Sequence, residues 1–226
     1  LGAFLAQCHN STYNDKRLKE VFPITEMVTK VKIGIFHDGF IECTNNPMIR
    51  KNIQNVREKY FGNHIALVHG DVLPKNTMVN GDNFYLLDYE IAHMGDPAHD
   101  IGTILACYLL PGIINYPIRK RYYRAANELL DAYKKNGRKL RHIIKRVIKN
   151  SLMQIPSHFH CRACSIIQLQ FLDNQTRDII IKIAEKLAER PRSTLREVTA
   201  LIDREARPLK DNKPLTKEQL GSSRVF

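Results

Sequence analysis

Between Asn76 and Asp88 the chain carries two short apolar runs, Thr77–Val79 and Phe84–Leu87, joined through Asn80-Gly81. Asn-Gly readily takes the left-handed backbone angles of a tight turn whose twist matches that of paired strands. The two runs are therefore expected to pair as one small β-hairpin. Its ends bring Asn76 and Asp88 side by side, close enough to share one metal ion. Nothing else in the sequence ties two distant polar residues together so directly.

Around this hairpin the pattern is helical. Leu1–His9 reads as the end of a helix, with Leu1, Leu5 and Cys8 on one face. Residues 10–46 lack periodicity and read as loop. Asn46-Pro47 has the form of an N-cap with proline in the first turn, Ile49, Ile53, Val56 and Tyr60 repeat at helical spacing, and Gly62 is the stop. Ile65–Val68 is a short apolar run expected to be buried. Asp96-Pro97 opens a helix expected to end at Pro111-Gly112. Pro117–Asn136, closed by Gly137, turns Tyr122, Ala126, Leu129 and Tyr133 inward. Arg138–Met153 turns in Leu140, Ile143, Ile144, Val147 and Ile148. His158–Gln170 and Thr176–Glu189 follow, and Thr194 with Glu197 forms a capping box that opens a last helix. The expected fold class is α+β and mainly helical. One domain is expected over residues 1–209, then a polar tail, 210–226, expected to be disordered.

Composition narrows the classes. A hydrophobic content of 43% is that of an ordinary globular chain, and no run approaches the ~20 apolar residues of a membrane helix. Five cysteines, an odd number at irregular spacing, point to reduced thiols and a cytoplasmic protein. The chain opens on Leu1-Gly-Ala-Phe without Met or a leader, as expected of the interior of a longer protein. The net charge of +12 is concentrated in 116–149, which reads as a solvated helix face. A nucleic-acid partner is not expected, because no aromatic residues interleave with these cations in the single-strand-binding manner.

The chemistry lies in 69–100. Asp71 follows His69-Gly70 on a loop that leaves a buried apolar run, so its carboxylate is rigidly held and can accept or orient a hydroxyl proton. Asn76 offers a neutral oxygen and Asp88 a charged one, the few hard ligands that magnesium takes when phosphate and water complete its shell. Glu90 either assists a second metal or faces water. Asp100, at a helix start among apolar residues, needs hydrogen-bond donors, and the nearest are the amides of the loop near His69.

The segments His69-Gly70-Asp71 with Asn76, Leu86-Leu87-Asp88-Tyr89-Glu90, and Gly95-Asp96-Pro97-Ala98-His99-Asp100 together resemble the aminoglycoside phosphotransferase and choline kinase family. Leu1-Gly2, Leu5-Ala6 and His9 resemble the helix after that family's hinge. His160-Cys161-Arg162 through Phe171-Leu172-Asp173 is similar to a stretch in its methylthioribose kinase branch. The resemblance covers roughly 1–190, with its specific motifs in 69–100. It implies the C-terminal lobe of a protein-kinase-like phosphotransferase, using ATP and Mg2+ on a hydroxyl of a small molecule. It implies Asp71 as the catalytic aspartate, Asn76 and Asp88 as metal ligands, Asp100 as the brace of the catalytic loop, and His69 as a loop-ordering residue. The family's N-terminal nucleotide lobe, with its phosphate-pairing lysine, has no counterpart in this chain: Gly2 alone is no phosphate loop, and no Val-Ala-x-Lys-like strand precedes the motif.

Other groupings are weaker. His158, His160, Cys161 and Cys164 include a Cys-x-x-Cys spacing, but on one helix the two histidines point apart, so packing is the expected role rather than zinc. Arg162, fixed on that helix near the cleft, is a candidate contact for a substrate anion. Tyr122, Tyr123 and Tyr133 read as core. Cys8 and His9 read as a packed helix end. Two functions remain open: a small-molecule kinase, or a non-catalytic kinase-like module that binds a partner through its basic face.

Overall fold

A computed structural model describes residues 1–81, 83–165 and 167–212. In chain order its helices are α1 (Gly2–Ser11), α2 (Lys16–Val21), α3 (Glu26–Val28), which runs into a π-helix over Thr29–Asp38, and α4 (Gly39–Cys43). They continue with α5 (Pro47–Gly62), α6 (Ala98–Ile114), α7 (Arg119–Asn136), α8 (Ile144–Cys164), α9 (Asn174–Glu189) and α10 (Leu195–Glu205). Four short strands lie between α5 and α6: β1 (Ala66–Val68), β2 (Thr77–Asn80), β3 (Asn83–Leu86) and β4 (His93–Gly95). The fold is α+β and mainly helical.

Helix α6 is its axis. Every residue from Ala98 to Ala106 and from Leu109 to Ile114 is buried, so the helix is covered on all sides, with Ile101, Ile104, Leu105, Leu109 and Ile113 its large apolar side chains. A helix apolar all round is stable in water only when wrapped on every side. Here α7 and α8 wrap it, α1 packs on α7, and α9 packs on α8. The caps read from sequence are present. Asn46 accepts from the amides of Met48 and Ile49, Asp173 from Thr176, and Thr194 with Glu197 forms the capping box.

The hairpin forms as expected, with Thr77 opposite Leu86 and Asn80 opposite Asn83. Asn80 belongs to the strand, so the turn begins one position later, at Gly81, which has φ 59. The apolar run 65–68 becomes β1, which pairs antiparallel with β4, a strand the sequence pattern did not disclose.

Other departures have physical causes. Residues 10–46 are largely helical rather than loop. Asp15 caps α2 and Thr25 caps α3. The π-helix then turns Ile33, Phe36 and His37 inward with i→i+5 bonding, a spacing that a 3.6-residue search misses. Helix α6 continues past Pro111 to Ile114: the proline forfeits the backbone bond to the carbonyl four residues earlier, and the burial of Ile113 and Ile114 offsets that loss. The residues after Gly137 turn through 138–143, so the third helix starts at Ile144, and Ile144 and Ile148 are only partly buried. That helix does not break near Pro156 but runs on to Cys164. Leu152, Ile155 and Phe159 are buried by its continuity at about 2 kcal/mol each, which outweighs the ~3 kcal/mol of an interior proline. On α7 Tyr133 is buried as expected, while at the start of the helix Tyr123 turns inward and Tyr122 is half-buried. Residues 213–226, most of the tail expected to be disordered, lie outside the described residues.

Candidate active site

Strand β1 delivers the chain to His69-Gly70-Asp71 directly beneath the first turn of α6. Gly70 has φ 83, and a β-carbon there would sit 2.7 Å from the Ile91 carbonyl oxygen. Only glycine makes this turn without strain. Asp100, buried in α6, accepts from the amides of His69 at 2.8 Å and Gly70 at 2.9 Å. His9 Nε2 lies 3.3 Å from the same carboxylate, and His9 Nδ1 lies 3.0 Å from the Tyr133 hydroxyl. Burial alone would raise the Asp100 pKa, but the His9 contact and the loop amides hold it well below the usual carboxylate range. The carboxylate is therefore ionised and clamps the loop from below.

His69 clamps it from the side. Its Nδ1 accepts the Asp71 amide at 3.2 Å, which leaves Nε2–H to donate to the Leu87 carbonyl at 2.9 Å. One imidazole thus ties the Asp71 backbone to the end of β3. The Leu87 amide in turn donates to the Asn76 carbonyl at 2.7 Å. Asn76 therefore lies one residue along from Asp88, across the base of the hairpin.

Asp71 is 15% exposed and faces a cleft of about 340 Å³. Asn76 Nδ2 donates to its Oδ2 at 2.9 Å and to its carbonyl at 3.0 Å. Lys32 forms an ion pair with Oδ1, and Lys75 lies 3.8 Å from Oδ2. Burial pushes the Asp71 pKa up, but Lys32, Lys75 and Asn76 together bring it below the ordinary value. Lys32 is 3% exposed on the π-helix and was not singled out from the sequence. The signal available was a lone cation inside the apolar run Val31–Phe36.

The remaining expected residues fall around the same loop or beyond it. Asn76 is buried, and with Nδ2 engaged its Oδ1 has no protein partner among the described residues. Asp88 is exposed at φ 70, a left-handed angle uncommon outside glycine, and its carboxylate forms no hydrogen bond or ion pair among the described residues. Strained backbone of this kind clusters at functional sites. Glu90 is exposed. Among the described residues no three His, Cys, Asp or Glu side chains gather as a metal site. A magnesium ion here would take Asn76 Oδ1, Asp88, phosphate oxygens and water, a donor set that suits its chemistry. Arg162, on α8, lines the same cleft as Asp71.

The other groupings are packed. His158 lies against Phe36 and Thr103, whereas His160 stacks on Phe40 and meets Cys164. Cys8 donates to the Leu67 carbonyl, and burial pushes its thiol up to about 11. All five cysteines are free. Among the described residues no single helix is long and apolar enough to cross a membrane.

Residues 2–112, just under half of the 226-residue chain, match the profile of a family described as "Uncharacterized oxidoreductase dhs-27". The matched stretch contains His69, Asp71, Asn76, Asp88 and Asp100. No curated protein matches the chain.

Proposed function

We propose that this chain carries the acceptor and metal side of a phosphotransferase site, of the aminoglycoside phosphotransferase and choline kinase kind, that moves the γ-phosphate of ATP to a hydroxyl of a small molecule. The observation that carries the reading is the Leu87 amide to Asn76 carbonyl bond of 2.7 Å. It sets Asn76 beside the residue preceding Asp88, while Asn76 itself is bonded to Asp71. Base and metal ligands thus share one rigid loop and hairpin.

The roles follow from the chemistry. Asp71 orients the acceptor hydroxyl. The hydroxyl oxygen forms its new bond to the γ-phosphorus, the bond from that phosphorus to the bridging oxygen breaks, ADP leaves with the electron pair, and the hydroxyl proton passes to Asp71 and then to water. A low Asp71 pKa suits this reaction, because the loose transition state of phosphoryl transfer asks for positioning more than for a strong base. Magnesium, when bound, supplies charge neutralisation on the phosphates. His69 and Asp100 hold the loop and touch no substrate.

A dinucleotide-dependent oxidoreductase is the competing reading that the family description raises. The common doubly wound form needs parallel strands with a glycine-rich first turn. The strand pairs among the described residues are both antiparallel. Calorimetry with magnesium-ATP and with NAD separates the two. Magnesium-dependent ATP binding that Asp88→Asn weakens supports the phosphotransferase, and NAD binding without ATP binding contradicts it.

A further inference from the structure

The cleft at Asp71 holds more positive charge than its carboxylate balances. Lys32, Lys75 and Arg162 line it, and Asp71 is the one acidic residue among the described residues of its lining. The buried Lys32 and Asp71 are already paired. Lys75 is 42% exposed and 3.8 Å from Asp71, a long contact through partly open water. Arg162 makes no ion pair among the described residues; its Nη1 donates to the Ile167 carbonyl at 3.3 Å. That bond fixes the guanidinium and leaves its other donors available. The walls between are apolar, with Phe36, Leu73, Ile35 and Ile167. A half-buried arginine with spare donors, lining one apolar-walled cleft with a carboxylate that already has its cation, is arranged to receive an anion.

Resting on the phosphotransferase reading, we propose that the acceptor is a small hydroxyl compound with an apolar body and one anionic group, a carboxylate or a phosphate, held by Arg162 while its hydroxyl faces Asp71. Lys75, on the same short turn as Asn76, faces the transferring phosphate. A cationic acceptor such as an amino sugar or choline would set like charge against Arg162 and Lys75. The cleft, at about 340 Å³, is at the small end of ligand sites, which favours a compact acceptor.

Three probes of one shape test this: 4-(hydroxymethyl)benzoate, 4-methylbenzyl alcohol and 4-(hydroxymethyl)benzylamine. Their binding to the 226-residue chain is measured by calorimetry or saturation-transfer NMR. The benzoate is expected to bind about tenfold or more tightly than the other two. Arg162→Gln removes that difference and Arg162→Lys keeps part of it, with circular dichroism confirming that each variant is folded. Equal or tighter binding of the alcohol or amine, no benzoate binding at millimolar concentration, or an unchanged preference in folded Arg162→Gln overturns the proposal. Should Arg162→Gln not fold, the comparison of probes on the unaltered chain still decides. Phosphoryl transfer is scored separately, in the chain together with whatever coding sequence precedes Leu1. Transfer to the neutral or cationic probe without anion preference keeps the phosphotransferase and rejects the anionic acceptor. Anion preference without transfer to any probe keeps the anion-binding cleft and rejects the phosphotransferase.

Discussion

Lys32 and Asp71 form an ion pair at the floor of the cleft, with the lysine 3% and the aspartate 15% exposed. The lysine comes from a π-helix and the aspartate from the loop after β1, so the pair joins two parts of the chain 39 residues apart. A pair this enclosed is costly to break from one side, because the surviving charge stays buried. Lys32→Met is expected to destabilise the protein by about 3 kcal/mol in urea unfolding. Adding Asp71→Asn to Lys32→Met should recover much of that loss, with a coupling of about 1 kcal/mol or more. Strictly additive losses would show that the two charges do not depend on each other.

Asp100 holds the loop through two backbone amides and His9. Asp100→Asn keeps the shape but turns an amide donor toward one of those N–H groups. Hydrogen bonds to a buried charge are strong, so a loss of about 3 kcal/mol is expected. A melting temperature within a degree or so of the unaltered protein would show that the clamp carries no weight.

Gly70 and Gly81 both have positive φ, at 83 and 59, but differ in surroundings. A β-carbon at Gly70 meets the Ile91 carbonyl, while at Gly81 it meets nothing within 4 Å. Gly81→Ala should cost only the left-handed backbone, about 1 kcal/mol, and Gly70→Ala clearly more. Equal costs would mean that the loop shifts freely away from Ile91.

Acid should weaken the fold in two stages. Burial, then the Lys32 charge, depresses His99 from 6.5 to about 3, and burial with Arg57 depresses His37 to about 4. These rings are neutral when folded and protonate more readily when unfolded. Their contribution is whole above about pH 6.5 and declines as pH falls toward the folded values. Asp71 and Asp100, also depressed, add a second loss once pH drops below about 4, the ordinary carboxylate range. The urea midpoint should therefore fall steadily from about pH 7 to about pH 4, and less steeply in His99→Gln, whose amide can still reach the Gly70 carbonyl. A flat profile across that window contradicts these environments.

The parts of this arrangement that were legible in the sequence are those fixed by local chemistry. Asn80-Gly81 gave the hairpin, Asn46-Pro47 and Thr194-Glu197 gave helix starts, and an acidic residue at an apolar helix start gave the burial of Asp100. Lys32 was hidden because its helix does not repeat every 3.6 residues. Strand β4 was hidden because it is short and pairs with β1 across an intervening hairpin. The continuity of α8 through Pro156 depends on burial against α6 and α9, which no local pattern encodes. Arg162 was legible as a fixed cation, but its shared cleft with Asp71 follows from how α8 crosses the π-helix.

Phosphoryl transfer oriented by Asp71 is the activity proposed for this site. ATP consumption is measured, with magnesium and a panel of small hydroxyl acceptors, for the 226-residue chain together with any coding sequence that precedes Leu1, beside its Asp71→Asn variant. Acceptor-dependent turnover is expected, and Asp71→Asn lowers it by roughly 10²–10⁴ with little change in the acceptor KM. Turnover that survives Asp71→Asn unchanged, or a folded protein inert toward every acceptor and unable to bind magnesium-ATP, would contradict the proposed activity.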